Sequence, residues 1–254
     1  MAQLVEVAIT ELTRPLHTEF VTALRRTGFV YSMAVRLTDA DGAVGYGEAP
    51  QIWRVTGESL ASIKACILGP LADALLGLEV GDAGEIAAAL DRAVAGNTGA
   101  RAACEIAAHD LVARREGRSL AASLGASADE VATDVTMAAA TAADAVDVAP
   151  AGFTQVKVKV GLDPDDVARV IRIHQNSEVP LSIRVDANQA WDVPTATAAI
   201  AAWTSAGVVL DFLEQPLPAW DLAGLAELRR RIPTPIVADE SVFSIHDLRR
   251  AIEA

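Results

Sequence analysis

The run Val156-Lys157-Val158-Lys159-Val160 alternates β-branched valine with lysine at a period of two. In a pleated strand that period sends both ammonium groups to one face and the valines to the other. Taken alone, the pattern reads as an edge strand whose solvent-facing lysines discourage aggregation. The chain beyond it reverses that reading. Asp186 closes Ile183-Arg184-Val185-Asp186, Glu214 closes Phe212-Leu213-Glu214, and Asp239 closes Ile236-Val237-Ala238-Asp239. The steps are 27 residues from Lys159 to Asp186, then 28 to Glu214 and 25 to Asp239. Each interval holds a strand, a helix and two loops, so each step reads as one βα unit. Two lysines and three carboxylates therefore stand on neighbouring parallel strands, the carboxylates at the C-terminal ends. In a (β/α) barrel that end carries the chemistry.

At 254 residues the chain can hold two domains, and 52% hydrophobic content with positive mean hydropathy excludes a largely disordered protein. It has no uninterrupted apolar run of about 18 residues, and Met1-Ala2-Gln3-Leu4 does not open a secretory leader. A soluble cytoplasmic protein is expected, with no membrane partner. A net charge of −13 argues against nucleic acid, since no basic stripe is available to displace phosphate counterions. Arg229-Arg230-Arg231 is too short to alter this and reads as the decoration of a helix end. Cys66 and Cys104 lack CxxC spacing and fall in helix-like sequence, so they read as reduced packing residues.

Upstream of the lysines, Val5 to Leu12 alternates loosely. Tyr31 to Leu37 precedes Asp41-Gly42 and Ala43 to Tyr46, a hairpin signature that predicts an antiparallel sheet of about three strands. From Gly57 to about Gly125 the sequence turns helical and alanine-rich. Its clearest helix places Ala103, Ile106, Ala107 and Leu111 on one face, with Asn97-Thr98-Gly99 as its start. Strands followed by helices make an α+β domain, assigned to residues 1–128. Strand and helix then alternate through residues 129–254, beginning with a strand over Val131 to Met137. Asp163-Pro164 is read as the start of a helix with Val167, Val170, Ile171 and His174 on its apolar face. Further helices are predicted over Thr195 to Ser205, ending at Gly207, from Asp221 to the Pro233 region, and from Ser244, where Asp247 completes a capping-box-like pair. No GxGxxG follows the first strand, which disfavours a nucleotide-binding doubly wound sheet.

Three carboxylates converging from adjacent strands repel one another unless a cation sits among them. All-oxygen ligation favours Mg²⁺ over zinc, with water and substrate oxygens completing an octahedron. A lysine beside a metal and a second ammonium is disfavoured in its charged form, which brings its pKa towards the range of a general base. Such a base can remove the proton α to a carboxylate held by the metal, leaving an enediolate whose charge rests on liganded oxygens. Lys159 is assigned as the base and Lys157 as the fixed positive charge beside it.

Lys157-Val158-Lys159, Asp186-Ala187-Asn188-Gln189-Ala190-Trp191, Glu214-Gln215-Pro216 and Ala238-Asp239-Glu240-Ser241 together resemble the muconate-lactonising (mandelate racemase/muconate lactonizing enzyme) branch of the enolase superfamily. The resemblance spans the chain. It implies an N-terminal capping domain with a modified (β/α)7β barrel, Mg²⁺ on Asp186, Glu214 and Asp239, and Lys159 as one acid/base. It also implies that Asn188, Gln215 and Glu240 orient the ligands. Thr22-Ala23-Leu24-Arg25, Gly45-Tyr46-Gly47-Glu48-Ala49 and Thr56-Gly57-Glu58 are most similar to dipeptide epimerases of the L-Ala-D/L-Glu type. Arg25 is then either a surface arginine or a cation facing a substrate carboxylate.

The expected function is accordingly an isomerase acting on a small carboxylate substrate, a dipeptide, and a homo-oligomer is expected. o-Succinylbenzoate synthase, N-acylamino acid racemase and muconate cycloisomerase share the metal and lysines and remain alternatives. So do a Schiff-base aldolase using a strand-end lysine and a non-catalytic metal-binding scaffold. Residues 131–254 provide only five strands, whereas a barrel takes about 250 residues. The barrel is expected to be incomplete here, with three further strands and a second acid/base lysine beyond Ala254, and the isolated chain to be unable to epimerise.

Overall fold

The computed structural model describes residues 2–81, 83–127, 130–139, 149–150 and 152–254, without the side chain of Ala83. Two compact units emerge, Met1–His17 with Gly28–Val131, and Thr18–Thr27 with Ala132–Ala254. The boundary expected between residues 128 and 129 lies outside the described residues.

In the first unit, β1 (Leu4–Val21), β2 (Arg26–Asp39) and β3 (Val44–Pro50) form a three-stranded sheet in that order. β2 and β3 are antiparallel, with Thr38 opposite Val44. Their turn forms as Asp41-Gly42 predicts: Asp39 Oδ1 accepts the amides of Asp41 (3.0 Å) and Ala43 (2.8 Å), and Gly42 takes φ 85°. β1 and β2 run much further than the strands read from Val5–Leu12 and Tyr31–Leu37. Their added length shows no alternation because few of its residues are buried. The tip of that ribbon, Thr18–Thr27, packs with the second unit.

After the sheet come the α-helices α1 (Leu60–Cys66), α2 (Ala72–Leu75), α3 (Ala83–Ala93), α4 (Thr98–Arg115) and α5 (Leu120–Ser123), with a π-helical turn, Ile67–Leu71, joining the first two. α4 buries Ala100, Ala103, Cys104, Ala107, Ala108 and Leu111, but Ile106, expected inside, is 44% exposed. Small residues on that face let α4 lie directly on β3. A Cβ at Gly45 would stand 2.2 Å from the Ala107 carbonyl oxygen, and one at Gly47 would stand 2.0 Å from that of Ala103. The Gly-Tyr-Gly motif is thus a condition of strand-helix contact. Asn97 makes no side-chain cap at the start of α4. Buried Glu58 does so from 41 residues upstream, accepting the amides of Gly99 (2.7 Å) and Ala100 (3.1 Å). Cys66 and Cys104 are free and buried, and burial pushes the Cys104 thiol up to about 12.

The second unit is a parallel sheet in the order β4 (Val135–Met137), β5 (Gln155–Lys159), β6 (Ser182–Asp186), β7 (Leu210–Glu214) and β8 (Ile236–Val237). This is the α/β barrel arrangement the carboxylate spacing predicts, with five strands that do not close into a barrel among the described residues. β4 begins at Val135 instead of Val131, and β8 ends two residues before Asp239. Val156, Val158 and Val160 join Ile183, Val185 and Leu213 in a core against α6 (Asp166–Gln175) and α7 (Val193–Ser205). Asp192 caps α7, Asp221 caps α8 (Leu222–Arg231), and Ser244 caps α9 (Ile245–Glu253), each accepting an amide three residues on. α6 departs from expectation. It starts at Asp166 and buries Asp166, Arg169 and Ile173 together with the expected Val170, while Val167 and Ile171 pack half-buried against the same core and His174 is half-buried.

Candidate active site

Strand register assembles the site. Lys159 on β5 lies beside Asp186 on β6, which lies beside Glu214 on β7. Asp239 joins from the loop after β8. One oxygen from each of Asp186, Glu214 and Asp239 lies within 4.8 Å of the others, the Asp186 and Glu214 side chains buried and Asp239 exposed. Lys159 is buried and donates to Asp186 Oδ2, while Lys157 Nζ lies 2.7 Å from Glu214 Oε1 and 3.0 Å from Asp186 Oδ2. Both lysines therefore face the carboxylates, as their period of two requires.

These contacts set the charges. Burial works against the Asp186 carboxylate, but the Lys159 and Lys157 ammonium groups and the Asn188 amide hold it below the usual carboxylate range. Glu214 is pushed up by burial and by the charge of Asp186, which the Lys157 hydrogen bond only partly offsets. Burial pulls Lys157 down, yet its bond to Glu214 and the charge of Asp186 outweigh it and hold the ammonium above its ordinary value. Lys157 stays a cation.

The loops after the strands are tied to one another by amide side chains. Asn188 N donates to Asp186 Oδ1 (2.9 Å), and Asn188 Nδ2 donates to Glu240 Oε1 (3.1 Å). Gln215 Oε1 accepts the backbone amides of Asp239 (2.8 Å) and Ser241 (3.1 Å), while its Nε2 donates to the Leu217 carbonyl and to Ser241 Oγ. Gln215 thereby holds the backbone that carries Asp239. Asn188, Gln189 and Gln215 adopt φ of 41°, 71° and 32°, bending the chain sharply after Asp186 and Glu214. Such backbone costs on the order of 1–3 kcal/mol per residue and persists where surrounding bonds over-determine it.

An oxygen-seeking cation fits this donor set. Three carboxylates converge, and the buried oxygens Asn188 Oδ1 and Glu240 Oε2 accept no hydrogen bond among the described residues. Burial, opposed by the Asn188 amide, also raises the Glu240 carboxyl.

Arg25 lies in the ribbon tip that packs with this unit. Thr22 Oγ1 accepts the amides of Leu24 (3.1 Å) and Arg25 (3.3 Å), the Ala139 amide after β4 donates to the Val21 carbonyl (2.9 Å), and the Arg25 guanidinium lies over Phe20, 5.4 Å from the ring centre. The structure brings the tip to the strand-end loops without recording a bond from Arg25 to the carboxylates. Sequence reading passed over Arg184, which registers with Lys157, pairs with Asp134 (2.8 Å) and Asp211 (3.4 Å), and stacks over Phe212. Its place one alternation before Asp186 on the strand would have identified it as facing the same side.

Comparison with known proteins agrees with this architecture. Residues 4–125 match the model of the mandelate racemase / muconate lactonizing enzyme N-terminal domain, and residues 138–254 match that of the enolase C-terminal domain-like family. The L-Ala-D/L-Glu epimerase of Clostridium acetobutylicum is 33% identical over 98% of this chain and 71% of its own length. That of Bacillus subtilis is 37% identical over 95% of this chain and 68% of its own. A substrate-liganded structure of the Bacillus subtilis enzyme superposes with a TM-score of 0.92 at 35% identity, covering 99% of this chain and 72% of that one. A dipeptide epimerase from Cytophaga hutchinsonii, solved with Mg and the dipeptide D-Ala-L-Val, gives 0.88 at 29% identity, covering 99% and 69%. With both domain models matched in order over a sheet whose strand ends gather two lysines and three carboxylates, the chain belongs to the mandelate racemase/muconate lactonizing enzyme family of the enolase superfamily.

Proposed function

We propose that this chain carries the proton-transfer apparatus of a Mg²⁺-dependent dipeptide epimerase of the L-Ala-D/L-Glu type. The observation that carries the reading is the convergence of Asp186, Glu214 and Asp239 beside two lysines on one strand. In this reading the three carboxylates hold the metal, and Asn188, Gln215 and Glu240 orient them. The bound cation supplies Lewis-acid stabilisation of negative charge on the substrate carboxylate.

Lys159 is the base. It takes the proton from the carbon α to the substrate carboxylate, and the electron pair passes onto the carboxylate oxygens as an enediolate. Lys157 remains protonated beside it and favours that added charge. Return of a proton to the opposite face of the carbon, which would complete epimerisation, requires a second acid/base group on that face, a role Lys159 does not fill from its own side. Arg25 on the ribbon tip is assigned to an acidic group of the dipeptide. Relatives named for dipeptide epimerisation support this substrate class.

The test is α-proton exchange in D2O by the intact protein with L-Ala-L-Glu and Mg²⁺, followed by NMR. Deuterium should enter the glutamyl α-position, stop on chelation and resume with added Mg²⁺. Exchange that survives chelation, or reductive trapping of a carbonyl substrate on Lys159 by borohydride, would replace the reading with Schiff-base chemistry.

A further inference from the structure

Among the described loops at the strand ends, the one after β5 is held by a device of its own. Asp166, 3% exposed, turns one carboxylate oxygen back onto that loop and accepts three consecutive amides, Gly161 (2.7 Å), Leu162 (3.1 Å) and Asp163 (3.1 Å). Arg169, one helical turn on and also 3% exposed, donates to the backbone carbonyl of Lys159 (3.4 Å). Burying two ionisable side chains is costly, and surface helices seldom do it without a reason. Here both reach the backbone of Lys159 or of the residues just after it. Gly161 is the pivot: it takes φ 101°, and a Cβ there would stand 2.4 Å from the Ala190 side chain and 3.6 Å from that of Ala23. Ala23 belongs to the ribbon tip that carries Arg25.

We infer that Asp166 and Arg169 are positioning residues that set Lys159 and the Arg25-bearing tip in one common register through the loop 161–163. The inference rests on the assignment of Lys159 as base. Asp166 does for Lys159 what Gln215 does for Asp239, so loss of the carboxylate frees the loop while leaving the metal ligands in place. The lysine end and the tip then shift together, impairing proton removal and recognition of the acidic dipeptide alike.

The experiment uses the intact protein with Asp166→Ala, Asp166→Asn and Arg169→Met, assayed well below their melting temperatures. Asp166→Ala should deprotect the amides of residues 161–163 in hydrogen exchange at least tenfold and leave Mg²⁺ affinity within twofold of wild type. It should lower kcat for α-proton exchange by at least tenfold and raise KM for L-Ala-L-Glu. Asp166→Asn, which keeps an acceptor oxygen, should recover most of the loss, and Arg169→Met should lower kcat with a smaller effect on KM. Competitive acetylation supplies a readout independent of turnover: Lys159 labelling relative to exposed Lys64 should rise at least fivefold in Asp166→Ala. Wild type without exchange activity overturns the proposed reaction, and the labelling ratio then decides the positioning role by itself. Deprotected amides with unchanged labelling and unchanged kcat would reduce Asp166 to a loop staple and overturn the inference. An Asp166→Ala protein too unstable to purify leaves the decision to Arg169→Met, whose wild-type labelling ratio and kcat would likewise overturn it.

Discussion

At the scale of single residues, the division of labour between the two lysines follows from what each touches. Lys159 is the more deeply buried and bonds Asp186, whereas Lys157 bridges Glu214 and Asp186 and is held as a cation by both. Lys159→Ala should therefore cut α-proton exchange by about 10²–10⁴-fold, the usual worth of a general base, with Mg²⁺ binding retained by calorimetry. Lys157→Ala should be milder, since its charge supports the reaction without carrying the proton. Equal losses in the two variants would count against Lys159 as the sole base on this strand. Arg25 makes a separate prediction. Arg25→Ala should raise KM for dipeptides with an acidic second residue more than for neutral ones, and matched effects on both would remove it from recognition.

At the scale of elements, polar contacts hold α4 at both of its ends. Glu58 satisfies two amides at the helix start, and Glu58→Ala would leave both without a partner in a buried setting. A loss of about 1–3 kcal/mol is expected in urea denaturation, with Glu58→Gln recovering part of it. At the other end, Arg115 bonds Asp39 and lies 3.0 Å from Asp41, tying the β2–β3 turn to the last turn of α4. Burial opposes the Asp39 carboxylate, but the Arg115 guanidinium and the Ala43 and Asp41 amides hold it below the usual carboxylate range. A carboxyl lowered on folding stabilises the protein above its unfolded pKa of about 4 and loses that contribution as pH falls through the folded value. Asp39→Asn should thus be less stable at pH 7 and show a flatter acid limb than wild type as pH falls below the unfolded carboxyl value of about 4. Parallel acid limbs would show that other carboxylates govern acid unfolding.

At the scale of the whole molecule, the carboxylate cluster belongs to one compact unit and the α4 core to the other. If Mg²⁺ binds Asp186, Glu214 and Asp239, it should stabilise the second unit by about 2.7 kcal/mol at a hundredfold excess over its Kd. Hydrogen exchange should slow in β5 to β8 and their following loops, with little change in α1 to α4. Uniform slowing across both units would indicate that they open as one. Substituting Asp186 by Asn should abolish the effect, and zinc should be a poorer stabiliser than magnesium if oxygen ligation sets the preference.

Much of this was legible in the sequence because it rests on local periodicity. Alternation in Val156–Val160, near-constant steps between Lys159, Asp186, Glu214 and Asp239, and cap residues such as Asp221 and Ser244 are short-range constraints, written within a few residues of where they act. The helix read over residues 163–174 shows the limit. Its apolar periodicity selected Val167, Val170 and Ile171, which do pack on the core, but not Asp166 and Arg169, which the fold buries more deeply and which bond backbone groups of Gly161 and Lys159. Glu58 is of the same kind, a carboxylate whose purpose lies 41 residues away at Gly99. The grouping of Thr18–Thr27 with the barrel sheet is another, for nothing in the composition of that ribbon states which unit its tip will join. Strand order and the identity of the chemical groups were determined by the sequence alone, since period and residue type suffice for both. Which buried charges serve the backbone was decided only by tertiary structure, because a hydrogen bond between distant segments leaves no periodic trace in either one.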